Sequence, residues 1–155
     1  MKNLIKKNLL LSILSCVFVV VFTVSIFLFF VKQNSKSYVF IFPSADDGSY
    51  IVERRNLSNN PAQGIIQLYI DELLLGSTVE RTKLIFSSKT KVNSCFLRDN
   101  TLYLDLSDDL LSIEKSSFLI NDGIELLKEN ILKNFSNIHK IELFIGEKFV
   151  ASMEK

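Results

Sequence analysis

From Leu9 to Val31 the chain runs for 23 residues without a charge, a Gly or a Pro. As a helix rising about 1.5 Å per residue, that run is about 35 Å long, enough to cross a hydrocarbon layer of about 30 Å. A segment buried in lipid must satisfy its own backbone hydrogen bonds, and a single helix does so. The pattern predicts a transmembrane helix over 9–31, after a tail at 1–8 and before a polar spacer at 32–37. The partner of this stretch is the lipid bilayer. Two other readings use the same residues. A cleaved signal peptide has a shorter apolar core and a small-residue site, whereas here the run continues through Ile26–Val31 and ends in Lys32-Gln33-Asn34 with no Ala-x-Ala. Ile13-Leu14-Ser15-Cys16 resembles a lipobox, which would place a lipid on Cys16, but fifteen further apolar or small residues follow it. Lys2, Lys6 and Lys7 on the short tail, against Lys32 and Lys36 beyond the run, orient the tail to the cytoplasm. The rest of the chain is then extracytoplasmic, anchored once in the inner membrane.

Beyond the anchor the hydrophobic pattern changes period. Tyr38–Phe42 reads as a buried strand stopped by Pro43, and Ser44–Ser49 as a turn with Gly48 at a left-handed position. Tyr50–Arg55 returns, giving a hairpin over 38–55. Pro61 suits the first turn of a helix. Ile66, Ile70, Leu73 and Leu74 then form a helical stripe within Ala62–Leu75, and Gly76 ends it. Asp71 and Glu72, near its C-terminal end, are expected to be solvated. Ser77–Lys89 shows no clear period. Val92–Arg98 and Thr101–Leu106 form the clearest hairpin, turning at Asp99-Asn100, with Leu102, Leu104 and Leu106 on one face and Tyr103 and Asp105 on the other. Ser107 and Asp108 are placed to cap a short helical turn. A second helix, starting at Ser116 or Ser117, carries Ile120, Ile124, Leu127, Ile131 and Phe135 three or four apart. Gly123 interrupts it at a cost of about 1 kcal/mol, so the helix is expected to start late or kink there. Ile141, Leu143 and Ile145 alternate in a strand, and Lys148–Val150 closes the fold, leaving a tail at 152–155. The order of elements predicts an α+β domain over 38–151, with two helices on one face of a mostly antiparallel or mixed sheet.

Charge narrows the function classes. Five of the 18 Lys and Arg precede Val39 and all 17 Asp and Glu follow Ala45, leaving 13 against 17, a net −4 on the outer domain. A mildly acidic domain without a basic run lacks the footprint that phosphate backbones need, so nucleic acid is not an expected partner. Cys95 is the one cysteine outside the apolar run. The domain therefore has no internal disulfide, and Cys95 is expected to be a buried small residue.

Several pieces of the outer domain resemble the GerMN domain family, first described in spore-germination and sporulation proteins. They are Leu73-Leu74-Leu75-Gly76, Thr90-Lys91-Val92, the hairpin Arg98–Ser107, and the run Asn130-Ile131-Leu132 through Phe135, Ile138, Lys140-Ile141, Leu143 and Ile145-Gly146. Gly76-Ser77 stands where the family usually has Gly-Pro. The resemblance spans about residues 39–150. It implies a small extracytoplasmic domain, tethered by a helix or a lipid, that acts in cell-envelope assemblies without catalytic residues.

The search for chemistry agrees with that implication. His139 is the only histidine and no Gly-x-Ser-x-Gly surrounds a serine, so a hydrolytic triad has little to build on. Asp105, Ser107 and Asp109 imitate the opening of a calcium loop, but Leu110 replaces its Gly and Ser116 its closing Glu. Asp46-Asp47-Gly48 reads as a turn rather than a cation site. No catalytic, cofactor or metal residue is assigned. The expected function is a structural or interaction module that binds an envelope protein or itself through an open sheet edge. The alternative is binding of an envelope polymer such as peptidoglycan, with Tyr50, Tyr69 and Tyr103 as stacking residues.

Overall fold

A computed structural model describes residues 2–32, 35–112 and 119–154. The chain divides into two compact units, Met1–Ser35 and Lys36–Lys155. The first is one helix, α1 (Lys2–Lys32), within which Ser12–Phe29 is long and apolar enough to cross a membrane and has no buried residue. The hydroxyl of Thr23 donates back to the Val19 and Val20 carbonyls, so this polar group needs no outside partner.

The second unit is α+β, as the pattern predicts. The hairpin β1 (Ser35–Pro43) and β2 (Tyr50–Ser58) forms its own two-stranded sheet. After α2 (Ile65–Leu74) comes a four-stranded sheet in the order β3-β4-β5-β6, made of Val92–Arg98, Thr101–Leu106, Lys140–Ile145 and Lys148–Glu154. A 3-10 turn at Asp108–Leu111 and α3 (Ile120–Asn134) connect β4 to β5, which pair in parallel; the outer pairs are antiparallel. β1 begins three residues earlier than the pattern suggests, and β6 continues to Glu154, through the residues expected to be a tail. The expected helix start at Ser116 or Ser117, and Gln33-Asn34 of the expected spacer, lie outside the described residues.

Alternation decides the faces of the larger sheet. Leu102, Leu104 and Leu106 pair in register with Ile141, Leu143 and Ile145, and all six are buried. They close over Tyr69, Ile70 and Leu73 of α2 and Ile124, Leu127 and Ile131 of α3 in one core. Asp99 and Asn100 both have positive φ (49° and 62°), as a two-residue hairpin turn requires.

Three local expectations are corrected. α2 starts at Ile65, not Ala62, because Gly64 before it has φ +85°, and Pro61 belongs to the preceding turn. α3 runs through Gly123 without a break. A Cβ there would lie 2.7 Å from the Phe86 ring and 2.8 Å from the Ile85 carbonyl oxygen, so the missing side chain is what lets the helix approach the 85–86 segment. Asp71 and Glu72 are only partly solvated: burial raises the pKa of Asp71, and the Glu72 carboxylate, one-third exposed, lies 3.3 Å from the guanidinium of Arg55. That guanidinium also pairs with both Glu53 oxygens, at 2.8 and 2.9 Å, and covers the rings of Phe40 and Phe42. Glu53 further accepts from the hydroxyls of Ser77 and Thr78. The Arg55 hydrogen bonds hold the Glu53 carboxyl down at about 2.

The edge of β1 facing away from β2 is closed by side chains. The amide of Asn130 accepts from the Ile41 N–H (2.8 Å) and donates to the Ile41 carbonyl (3.0 Å). One helical turn on, the Asn134 amide does the same to Val39, at 2.8 and 2.7 Å. Further along, Lys83 N–H donates to the Pro43 carbonyl and Ala45 N–H to that of Arg81. Two asparagines and a short backbone run thus replace a neighbouring strand, and the N–H and carbonyl of Val39 and Ile41 and the carbonyl of Pro43 are satisfied.

Candidate interaction surface

The opposite face of the four-stranded sheet is the surface with distinctive chemistry. The registers arrange it in rows across the strands. One row reads Ser94, Asp105, Phe144 and Phe149; the next reads Phe96, Tyr103, Glu142 and Ser152; the third reads Arg98, Thr101, Lys140 and Glu154. Phe96 and Tyr103 stack, with ring centroids 5.0 Å apart and planes within 10°. Phe144 and Phe149 meet edge to face at 5.7 Å. Phe96 is 54% exposed and Phe149 58%, so neither pair is covered by the rest of the domain. A bulge between Leu143 and Phe144 brings Phe149 opposite Phe144 and leaves Val150, 45% exposed, beside it. β3 and β6 are the two edges of this sheet.

Between the aromatic pairs lies a concavity of about 220 Å³ lined by Ser94, Phe96, Tyr103, Leu104, Asp105, Phe144 and Glu147. Asp105 is 8% exposed. Its carboxylate accepts from the Asn93 side-chain amide (3.0 Å) and the Glu147 N–H (3.1 Å), so it ties β4 to the β5–β6 turn. In the third row Lys140 binds Glu142 at 2.6 Å; the pairing raises the lysine's pKa and lowers the carboxyl's.

The residues singled out for chemistry are not brought together. His139 is exposed before β5, and its N–H donates to the Asn100 carbonyl. Asp105 and Asp109 do not converge: the latter accepts from the Ser107 hydroxyl at 3.3 Å, while Asp105 is engaged as above. Asp47 caps its own turn through Ser49, which lowers its pKa, and Asp46 pairs with Arg81. Among the described residues no group of three or more His, Cys, Asp or Glu could hold a metal. Cys95 is half-buried rather than fully buried; burial, helped by the charge of Asp71, pushes its thiol up to about 11, so little reactive thiolate forms.

The three tyrosines do not form one platform. Tyr69 is corrected from stacking residue to core residue: it is fully buried between Phe40 and Phe135, and its hydroxyl contacts the Val39 carbonyl at 2.8 Å and Asn130 Oδ1 at 3.0 Å. Burial raises its pKa. Tyr50 is exposed on β2, beside an open groove along α3. Tyr103 alone belongs to the outer face. Sequence reasoning missed its companions Phe96, Phe144 and Phe149, although alternation opposite Leu102–Leu106 and Ile141–Ile145 marks that face.

No family model matches the chain. It is 24% identical over 99 residues to an uncharacterized lipoprotein of Treponema pallidum (strain Nichols), covering 64% of this chain and 74% of that protein. Among solved structures it resembles the tandem GerMN domains of the sporulation protein GerM from Bacillus subtilis, with a TM-score of 0.58 and 16% identity over 75% of the chain. The chain spans 40% of that tandem structure. Against the first GerMN domain of the same protein the TM-score is 0.55 at 15% identity, covering 72% of this chain and 85% of that one. The outer unit therefore has a GerMN-like fold.

Proposed function

We propose that this chain is a membrane-tethered, extracytoplasmic module without catalytic chemistry, which docks a protein of the bacterial cell envelope through the outer face of its four-stranded sheet. The observation that carries the reading is the contrast between the two sheet faces. The inner one is buried along its two central strands, β4 and β5, while the outer one leaves Phe96, Phe149 and Val150 about half exposed beside an enclosed carboxylate. Singly exposed apolar side chains are ordinary, but a contiguous group on a flat face marks an interaction surface. The apolar helix α1 and the likeness to a protein named a lipoprotein support the tether. The likeness to domains of a sporulation protein supports a place in an envelope assembly.

The test places a photo-crosslinking amino acid at Phe96, at Phe149 and, as a control, at Glu125 on α3, each in the full chain in its own membranes. A discrete protein adduct is expected from the two sheet positions and not from Glu125. Adducts of equal yield from all three positions, or none from the sheet, would overturn the reading. Recovery of the sheet-position label on cell-wall polymer instead would move the function to polymer binding.

A further inference from the structure

We infer that the concavity between Phe96, Tyr103 and Phe144 receives a cationic side chain, lysine or arginine, from the docked protein. The inference deepens the docking reading and rests on it. Its first support is the composition of the wall. Three aromatic residues and two carboxylates line the space, and no basic residue does. An aromatic face carries the negative lobe of its quadrupole outward, so a cation over it is attracted, more strongly once water is excluded. In the stacked pair Tyr103 covers one face of Phe96, and Phe96 is still 54% exposed, so its ring remains open to a partner.

The second support is Asp105. It is more than nine-tenths buried, and among the described residues it has no ion-pair partner. Its two hydrogen bonds come from neutral donors, Asn93 and the Glu147 amide. A carboxylate accepts at about four sites, so acceptor capacity remains. A charge held this far from water is commonly matched by an opposite one, and an incoming ammonium or guanidinium supplies it.

Size agrees with a single side chain. At about 30 Å³ per water, the 220 Å³ space holds about seven waters. It lies below the range of about 300–1,000 Å³ that encloses drug-sized ligands. The tip of one lysine or arginine side chain fits such a space.

The test titrates the full-length protein in neutral-lipid nanodiscs with N-acetyl-lysine methylamide, N-acetyl-arginine methylamide and the uncharged N-acetyl-norleucine methylamide, read by NMR. The lysine and arginine compounds are expected to shift the ring signals of Phe96, Tyr103 and Phe144 and the Glu147 amide; the norleucine compound is not. F96A should weaken cation binding about threefold. D105N should remove the preference for charge over norleucine. Should D105N unfold, E147Q keeps the test open, because it removes a charge from an exposed turn without changing its shape, and should weaken the cations alone. Equal shifts from all three compounds, or no shift at these residues, would overturn the inference. Crosslinking from Phe96 would still stand in that case, so failure of the cation site and failure of the docking face are separable.

Discussion

Removing the Asn130 amide is the sharpest probe of how the domain is held. N130A deletes the group that satisfies both the N–H and the carbonyl of Ile41, in a place where Asn130 is fully buried. Among the described residues no other side chain is hydrogen-bonded to either group of Ile41, so the truncation strands both. A buried N–H without a partner costs about 2 kcal/mol and the carbonyl about 1, giving about 3 kcal/mol in total. Domains of this size are stable by about 5–15 kcal/mol, so the loss is large but leaves a folded protein to measure. N134A is the internal control. Asn134 makes the same pair of bonds to Val39, but it is only half-buried, so water replaces part of what is lost and the cost falls to about 1 kcal/mol. N130D separates geometry from charge. The new carboxylate could accept from the Ile41 N–H but would face the carbonyls of Ile41 and Leu126 with no proton to give. Its pKa in the fold would rise above its unfolded value of about 3.9. The penalty is therefore full above the folded pKa, shrinks as pH falls through it, and is gone below the unfolded pKa. Urea unfolding of the full chain in detergent, followed by tyrosine near-ultraviolet circular dichroism, reads all three variants. A cost for N130A no larger than that for N134A, or an N130D deficit that does not shrink with acid, would refute the account of β1.

The remaining expectations use the same unfolding assay. Glu53 titrates near 2 in the fold against about 4.3 when unfolded, so its contribution is present above the unfolded value and lost as pH falls toward 2; E53Q should flatten that part of the stability–pH curve. G123A should destabilise by about 1–3 kcal/mol despite alanine's better helix propensity, because Phe86 and the Ile85 carbonyl occupy the space of the methyl. R55K keeps the charge but loses the two-point bond to Glu53 and the flat contact with Phe40 and Phe42; a cost of about 1–2 kcal/mol is expected in the urea midpoint. A midpoint unchanged from wild type in R55K would assign that cluster no role in stability.

What the sequence made legible was whatever has a period. Leu102, Leu104 and Leu106 against Tyr103 and Asp105 mark a strand with two unlike faces, and Asp99-Asn100 marks its turn; both stand in the structure with the expected register. The stripe from Ile120 to Phe135 marks α3 equally well. Hydrophobic period says nothing of polar residues that work inside. Asn130 and Asn134 look like breaks in a stripe, yet they hold β1. Gly123 looks like a weak point because a propensity scale prices only the helix, not the Phe86 ring beside it. The outer face was half legible. Tyr103 stands among the candidate stacking residues, while Phe96, Phe144 and Phe149 go unremarked, although alternation with the buried leucines and isoleucines of the same sheet sets them on the outer face. Which tyrosine is buried was not legible either, since Tyr69 sits in a helical stripe that period alone widens or narrows.

The asparagine pair also shows how far a helix can stand in for a strand. Four residues of helix climb about 6.0 Å and two residues of strand advance about 6.6 Å, so the two scales slide apart like a vernier by about 0.6 Å per rung. Two rungs, 134 on 39 and 130 on 41, keep good geometry. The third would set position 126 against position 43, and there the chain has Leu126 and Pro43. Proline has no N–H to offer, and its carbonyl is already taken by Lys83. The mismatch is absorbed at the one residue that asks least of a neighbour, and Leu126 is left free to be greasy.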